Sequence, residues 1–230
     1  MRTLRVRKMD GKMLITTSTQ IATMPVAGPL IACALVLLPV LETFAQPSPV
    51  QTCIACHGAR GEGNAAAGFP RLAGQPQSYI ARQLDAYVDG RRQNPVMNPI
   101  AATLTSEQRG ELSAYYAQLG APSGGSAGWS ATSTARGASA ALARTLATKG
   151  DDSRRLEACE NCHGPGGAGY GNVNPYLAGL GSTYLEAALR EWREGTRKTD
   201  PSEQMVRIGK ALSDAEIQAI AAYYGKSPVP

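Results

Sequence analysis

The 230-residue sequence predicts an all-α protein built from two small helical domains in tandem. Three observations predict it. Valine and isoleucine are not gathered into the alternating runs that strands need, while glycine (25) and proline (15) imply long irregular connections. Apolar residues recur at helical spacing between capping boxes and glycine stops. The second half of the chain also repeats the first. An offset of 106 carries Cys53 to Cys159 and Gly58 to Gly164. An offset of 105 carries Pro70 to Pro175, Leu72-Ala73-Gly74 to Leu177-Ala178-Gly179, Tyr79 to Tyr184, Tyr87 to Trp192 and Gly90 to Gly195. An offset of 108 carries Met97 to Met205 and Tyr115-Tyr116 to Tyr223-Tyr224.

Residues 1–45 read as a secretory signal peptide. Residues 1–12 are basic, Val26 to Leu41 is apolar and uncharged, and Thr43-Phe44-Ala45 offers small residues where a signal peptidase cuts. The long basic lead leaves Met13 or Met24 as alternative starts. An uncleaved anchor, the one route to membrane association, is disfavoured: the apolar run is shorter than the ~20 residues of a span, and Pro29 and Pro39 interrupt it. Leu30-Ile31-Ala32-Cys33 resembles a lipoprotein box, but the strongest apolar run follows Cys33 instead of preceding it. The formal charge of +5 includes +3 from this segment, which leaves +2 for the mature chain. No basic patch interleaved with aromatics appears, so nucleic acid is not an expected partner.

The first domain is read as residues 46–120. It opens on Cys53-Ile54-Ala55-Cys56-His57, and the second copy has Cys159-Glu160-Asn161-Cys162-His163 in the same frame. C-x-x-C-H is the attachment motif of a c-type haem. Two thiols three positions apart reach both vinyl groups of one porphyrin, and the next residue aims its imidazole at the iron. A Cys₄ zinc site would leave the two histidines unexplained, and a thioredoxin-type disulfide expects a βαβ context. Such haem is attached outside the cytoplasm, so cofactor and export signal agree. The cofactor expected is haem c, twice, covalently bound.

A glycine-rich loop (Gly58, Gly61, Gly63, Gly68) follows the motif, where positive φ allows tight turns against a flat cofactor. A helix carrying Tyr79, Ile80, Leu84, Tyr87 and Val88 comes next and stops at Gly90, or Gly195 in the second copy. The last helix opens on Thr105-x-x-Gln108 or Ser213-x-x-Glu216, with Gly120 or Gly225 as its stop. Residues 121–134, rich in Gly, Ser, Ala and Thr, read as a linker. The second domain is read as residues 135–230. Its Ala-rich lead, 135–149, reads as a helix with no counterpart in the first copy.

Axial ligands follow from a count. The chain has two histidines, His57 and His163, and both belong to the motifs, so no bis-histidine iron is possible from this chain. The mature part keeps two methionines, Met97 and Met205, which stand 40 and 42 residues after those histidines. A soft, neutral thioether favours reduced iron and raises the potential. Gap-filling core packing is the alternative for both methionines. Pro70 and Pro175 stand where a loop carbonyl could accept a hydrogen bond from each imidazole's other nitrogen, or serve as plain turn residues. Tyr79, Tyr87, Tyr184 and Trp192 are expected mainly as core residues. Arg71, Arg82, Arg91 and Arg92 are expected mainly on a solvated face, with propionates as possible partners.

Cys53 to Gly58, Gly61-Glu62-Gly63-Asn64, Phe69-Pro70-Arg71-Leu72-Ala73-Gly74-Gln75 and the Met97 loop together resemble the dihaem class I cytochromes c of the cytochrome c4 type. The resemblance spans roughly residues 50–226. It implies two tandem class I cytochrome c domains, each around one covalent haem, related by a pseudo-two-fold axis. It implies His57 and His163 as proximal ligands, Met97 and Met205 as distal ligands, and the carbonyls of Pro70 and Pro175 as acceptors for the histidines. The second copy departs in Asn174-Pro175-Tyr176-Leu177-Ala178-Gly179-Leu180.

The function expected is single-electron shuttling in the periplasm, by a protein that is not itself an enzyme. The partners would be redox proteins: a terminal oxidase, a quinol:cytochrome c reductase or a periplasmic dehydrogenase. An electron-accepting subunit of such a dehydrogenase is the alternative. A dihaem enzyme of peroxidase or thiosulfate dehydrogenase type, or a gas-binding cytochrome, would need an exchangeable or different distal position. No spare histidine or mature cysteine supplies a different one.

Overall fold

A computed structural model describes residues 3–9, 12–18, 49–120 and 138–227. The chain falls into two compact units, residues 1–42 and 43–230. The first contains a feature the sequence reading missed. Strands β1 (Thr3–Met9) and β2 (Lys12–Ser18) pair antiparallel, with Met9 opposite Lys12 and Thr3 opposite Ser18. The signal was legible: Asp10-Gly11 is a two-residue hairpin dipeptide between Leu4, Val6 and Leu14. The apolar run Val26 to Leu41, the Cys33 box, the cleavage point at Ala45 and the linker 121–134 lie outside the described residues.

The second unit is all-α among its described residues, apart from isolated bridges. In the first copy α1 (Val50–His57) holds the cysteine motif. It is followed by α2 (Gln77–Val88), α3 (Met97–Ala102) and α4 (Ser106–Gln118). The second copy has α5 (Ala138–Thr148), α6 (Cys159–His163), α7 (Ser182–Glu194), α8 (Gln204–Ala211) and α9 (Asp214–Gly225). In each copy the helix after the glycine loop packs on both later helices: α2 on α3 and α4, α7 on α8 and α9. The cores are unequal. Val50, Ile80, Leu104, Leu112 and Tyr116 form the first. The second adds Leu146 and Ala147 from α5 and Leu156 from the turn after it, where α5 lies across α9. The Ala-rich lead therefore gives copy two a third wall that copy one lacks among the described residues.

Both predicted capping boxes form. Thr105 Oγ1 accepts from Gln108 N at 3.2 Å, and Gln108 Oε1 accepts from Thr105 N at 2.9 Å. Gly195 ends α7 in the left-handed region, as expected. Gly225 is not a left-handed stop. It is the last residue of α9, and a Cβ there would lie 2.4 Å from Ser182 N, so it is glycine because α9 meets the start of α7 backbone to backbone.

The second capping box carries an ion pair. Glu216 accepts from Arg154 Nη2 at 2.8 Å and Nη1 at 3.1 Å, and from Ser213 N at 2.8 Å. The Arg154 bonds hold its carboxyl below the usual range; burial opposes them, and the Ser213 bonds assist. A depressed folded pKa contributes stability that is complete above the unfolded value, about 4.3, and is lost as pH falls through the folded value. Glu216→Gln is therefore expected to be ~1 kcal/mol less stable at neutral pH. In urea titrations of the holoprotein at several pH values, its deficit should shrink on acidification below about pH 4.3. A deficit constant with pH would show that the carboxylate charge is not the cause.

Candidate functional site

Each cysteine motif sits on a short helix, where residues three apart share a face. In α1 this aligns Cys53 with Cys56 and sends His57 into the interior; α6 does the same for Cys159, Cys162 and His163. Gly58 and Gly164, at φ 84° and 73°, then turn the chain sharply. The returning loop brings a proline carbonyl to each imidazole: His57 Nδ1 lies 2.8 Å from Pro70 O, and His163 Nδ1 lies 2.9 Å from Pro175 O. A carbonyl only accepts, so Nδ1 carries the proton in both rings and Nε2 presents a lone pair. Burial draws both histidines below their usual pKa against the opposing pull of those carbonyls. Both rings are thus neutral donors fixed in orientation.

The loops are held by the same close contact in both copies. Gly61 and Gly167 have positive φ, and a Cβ at either would come within 2.7 Å of the ring of Tyr116 or Tyr224. Those two tyrosines are buried, and their hydroxyls lack a nitrogen or oxygen partner.

Two cavities open beside these helices. The first, about 370 Å³, is lined by Cys53, Cys56, His57, Pro70 and Met97. The second, about 590 Å³, is lined by Cys159, Cys162, His163, Pro175 and Met205. Sequence positions some 40 residues apart therefore share a wall in each copy, and both volumes fall in the range of cofactor sites, roughly 300–1,000 Å³. Met97 opens α3, its N–H donating to Asn94 Oδ1 at 2.9 Å. Met205 stands second in α8, its N–H donating to Asp200 Oδ2 at 2.8 Å.

The arginines correct the sequence reading. Arg71 and Arg92 are each 3% exposed and Arg197 is 4%, so none of these lies on a solvated face. The interface between the copies buries them. Arg92 donates to Glu191 Oε2 at 3.1 Å and to Gln83 Oε1 at 3.1 Å, and lies 5.0 Å over the Tyr87 ring. Arg197 donates to the same Gln83 oxygen at 2.8 Å and to Tyr79 Oη at 3.0 Å, and lies 4.6 Å over Trp192. The 105-residue offset carries Arg92 to Arg197, and the two form an isolated antiparallel backbone bridge between the copies. That offset was the available signal. Arg71 Nη2 reaches across to Ala178 O at 3.3 Å, while Gln75 exchanges two bonds with the Tyr176 backbone, at 3.0 and 3.1 Å. The aromatic residues also do more than fill a core. Tyr79, Gln83, Leu180 and Tyr184 line both cavities, so the two sites share a partition.

The residues present fit a covalent haem in each cavity. Two thiols, a neutral imidazole and a thioether form a donor set suited to haem iron and its vinyl groups. Arg71 on the first cavity and Arg197 on the second are buried cations with only neutral hydrogen-bond partners, and Arg71 Nε has none. Anionic propionates would complete both.

Two such sites in tandem helical domains define a dihaem c-type cytochrome, an electron-transfer protein carrying two covalently bound haem c groups. Residues 48–120 match the family described as cytochrome c, and residues 154–223 match cytochrome c oxidase, cbb3-type, subunit III. The chain is 42% identical to a thiosulfate dehydrogenase electron acceptor of Thiomonas intermedia, over 80% of this chain and 82% of that one. It is 32% identical to cytochrome c4 of Pseudomonas aeruginosa, over 79% of this chain and 87% of that one. The solved thiosulfate dehydrogenase (TsdBA) from Marichromatium purpuratum superposes with a TM-score of 0.67 at 38% identity, over 77% of this chain. This chain spans about a third of that longer one, 36%. The chain belongs to the cytochrome c4-like dihaem cytochromes c.

Proposed function

We propose that this protein is the periplasmic electron acceptor of a thiosulfate dehydrogenase and catalyses no reaction of its own. The observation that carries this reading is the ordering of relatives. The Thiomonas electron acceptor is ten percentage points more similar than the Pseudomonas cytochrome c4, at 42% against 32%. This favours the dehydrogenase partner over the free shuttle between reductase and terminal oxidase that the sequence alone put first. Export rests on residues 26–45; among the described residues no helix is long and apolar enough to cross a membrane.

In this reading Cys53 and Cys56 attach one haem and Cys159 and Cys162 the other. His57 with Met97, and His163 with Met205, are the axial ligands, and the Pro70 and Pro175 carbonyls hold the imidazoles. Residues 1–45, 46–120, 121–134 and 135–230 are export segment, first domain, linker and second domain. Haem iron, when bound, supplies a one-electron couple. The chain's own contribution is to keep that couple closed to other chemistry. The buried imidazoles and the half-buried thioethers would hold the iron, and the apolar walls would exclude water. Tyr79, Gln83, Leu180 and Tyr184 line both sites, and such a shared partition suits electron exchange between them.

The test mixes oxidised holoprotein with thiosulfate and a thiosulfate dehydrogenase and follows haem reduction optically. Reduction at least tenfold faster than with thiosulfate alone is expected. Equal rates with and without the enzyme, alongside rapid reduction by a quinol:cytochrome c reductase, would return the protein to the free-shuttle role.

A further inference from the structure

The two methionine loops are built on one plan with one chemical difference. In the first, Asn94-Pro95 precedes the methionine and the Asn94 side chain accepts the N–H bonds of Val96, at 3.0 Å, and Met97, at 2.9 Å. In the second, Asp200-Pro201 takes that place and the Asp200 side chain accepts from Ser202 N at 3.0 Å, Ser202 Oγ at 2.6 Å and Met205 N at 2.8 Å. The second loop is two residues longer and passes through Glu203 at φ 55°, in the left-handed region, yet it delivers the same bond to the methionine. The capping bond is thus kept while the cap changes from a neutral amide to a carboxylate. Asn94 lines the first cavity and Asp200 the second.

We propose that Asp200 is a tuning residue: its carboxylate, held against the Met205 loop on the cavity wall, favours the oxidised form of the second haem, and Asn94 exerts no such effect on the first. The inference rests on the axial assignment proposed above. Its basis is elementary. Oxidation adds one positive charge at the iron, and a fixed negative charge on a partly apolar wall stabilises that state. The donors to Asp200, from Ser202, Met205 and the Gln204 backbone, are neutral, so no cation is bonded to its carboxylate. Other charges line the cavities, Arg71 and Arg92 the first and Arg82 and Arg197 the second, but none of them is bonded to a methionine's backbone. Arg92 and Arg197 occupy equivalent positions of the repeat. Glu191 lines the first cavity, but its carboxylate is bonded to Arg92 at 3.1 Å; Glu157 lines the second and accepts only from Gln204 Nε2, at 3.1 Å. Glu157 is not held against the methionine.

The experiment is an optical redox titration of the holoprotein in four forms: unchanged, Asp200→Asn, Asn94→Asp and Met205→Ala. Met205→Ala identifies the second haem by its lost sulfur-to-iron charge-transfer band. Asp200→Asn should make that haem about tenfold easier to reduce, roughly 59 mV for one electron, and leave the other in place. Asn94→Asp should make the first haem harder to reduce by a similar factor. Asparagine retains an acceptor for the Met205 N–H, so both bands should persist in Asp200→Asn. A shift smaller than about twofold with both bands intact overturns the charge role. Met205→Ala with both bands intact overturns the axial assignment instead, and the tuning role with it.

Discussion

Replacing Met97 or Met205 by alanine is expected to abolish the sulfur-to-iron charge-transfer band of one haem and spare the other. The same change should make that haem at least a hundredfold harder to reduce, about 120 mV at 59 mV per decade for one electron. The effect is large because a single methionine lines each cavity. Both histidines are already bonded through Nδ1 to the Pro70 and Pro175 carbonyls. The matching methionine of the other copy lines the other cavity. A neutral, polarisable sulfur stabilises ferrous iron; water in its place is harder and favours ferric iron. The vacated position should also bind carbon monoxide in the reduced protein, which the unchanged protein should resist. Spectroelectrochemistry of each variant checks the first effect and a carbon monoxide titration the second. Two intact bands in either variant would remove methionine from the iron.

Arg92→Ala is expected to cost about 3 kcal/mol of holoprotein stability, measured as a lower urea midpoint with an unchanged slope. Arg92 is 3% exposed, is bonded to Gln83 of its own copy at 3.1 Å, and reaches Glu191 and Tyr184 across the interface at 3.1 and 3.4 Å. Its removal leaves the Glu191 carboxylate facing an unoccupied pocket, and an orphaned buried charge costs more than the pair itself contributes. The Glu191 side chain keeps 20% exposure, which holds the cost to the lower part of the ~3–5 kcal/mol range for broken buried pairs. Arg197→Ala should cost less, ~1–2 kcal/mol, although its geometry is similar. Its protein partners Gln83, Tyr79 and Thr199 are neutral, so its loss strands no side-chain charge. Equal costs for the two arginines would show that packing, not the Glu191 charge, dominates the interface.

Much of the site was legible in the sequence because its chemistry is local. Cys53, Cys56 and His57 lie within five consecutive positions, and a helix of one or two turns is enough to align them. The capping boxes at Thr105 and Ser213 were readable for the same reason: both partners lie within three residues. The β1–β2 pair was legible too, through Asp10-Gly11, but it was hidden by reading the basic residues around it as a targeting signal. Arg71 and Arg92 were misjudged because a single arginine in a helical protein is usually solvated, and only the facing copy buries these. Gly225 was misjudged because a glycine at a helix end is usually a left-handed stop, whereas here Ser182 comes too close for a side chain.

By itself the sequence determined the cofactor class, the number of centres, the duplicated all-α fold and the donor types available to the iron, since covalent spacing and residue counts fix these. Tertiary structure alone decided how the halves meet. Gln83 serves Arg92 and Arg197 with one oxygen, and Tyr79 and Tyr184 wall both cavities. Such features depend on groups about a hundred residues apart coming within hydrogen-bonding distance, and burial then turns ordinary surface residues into the fixed charges of the site.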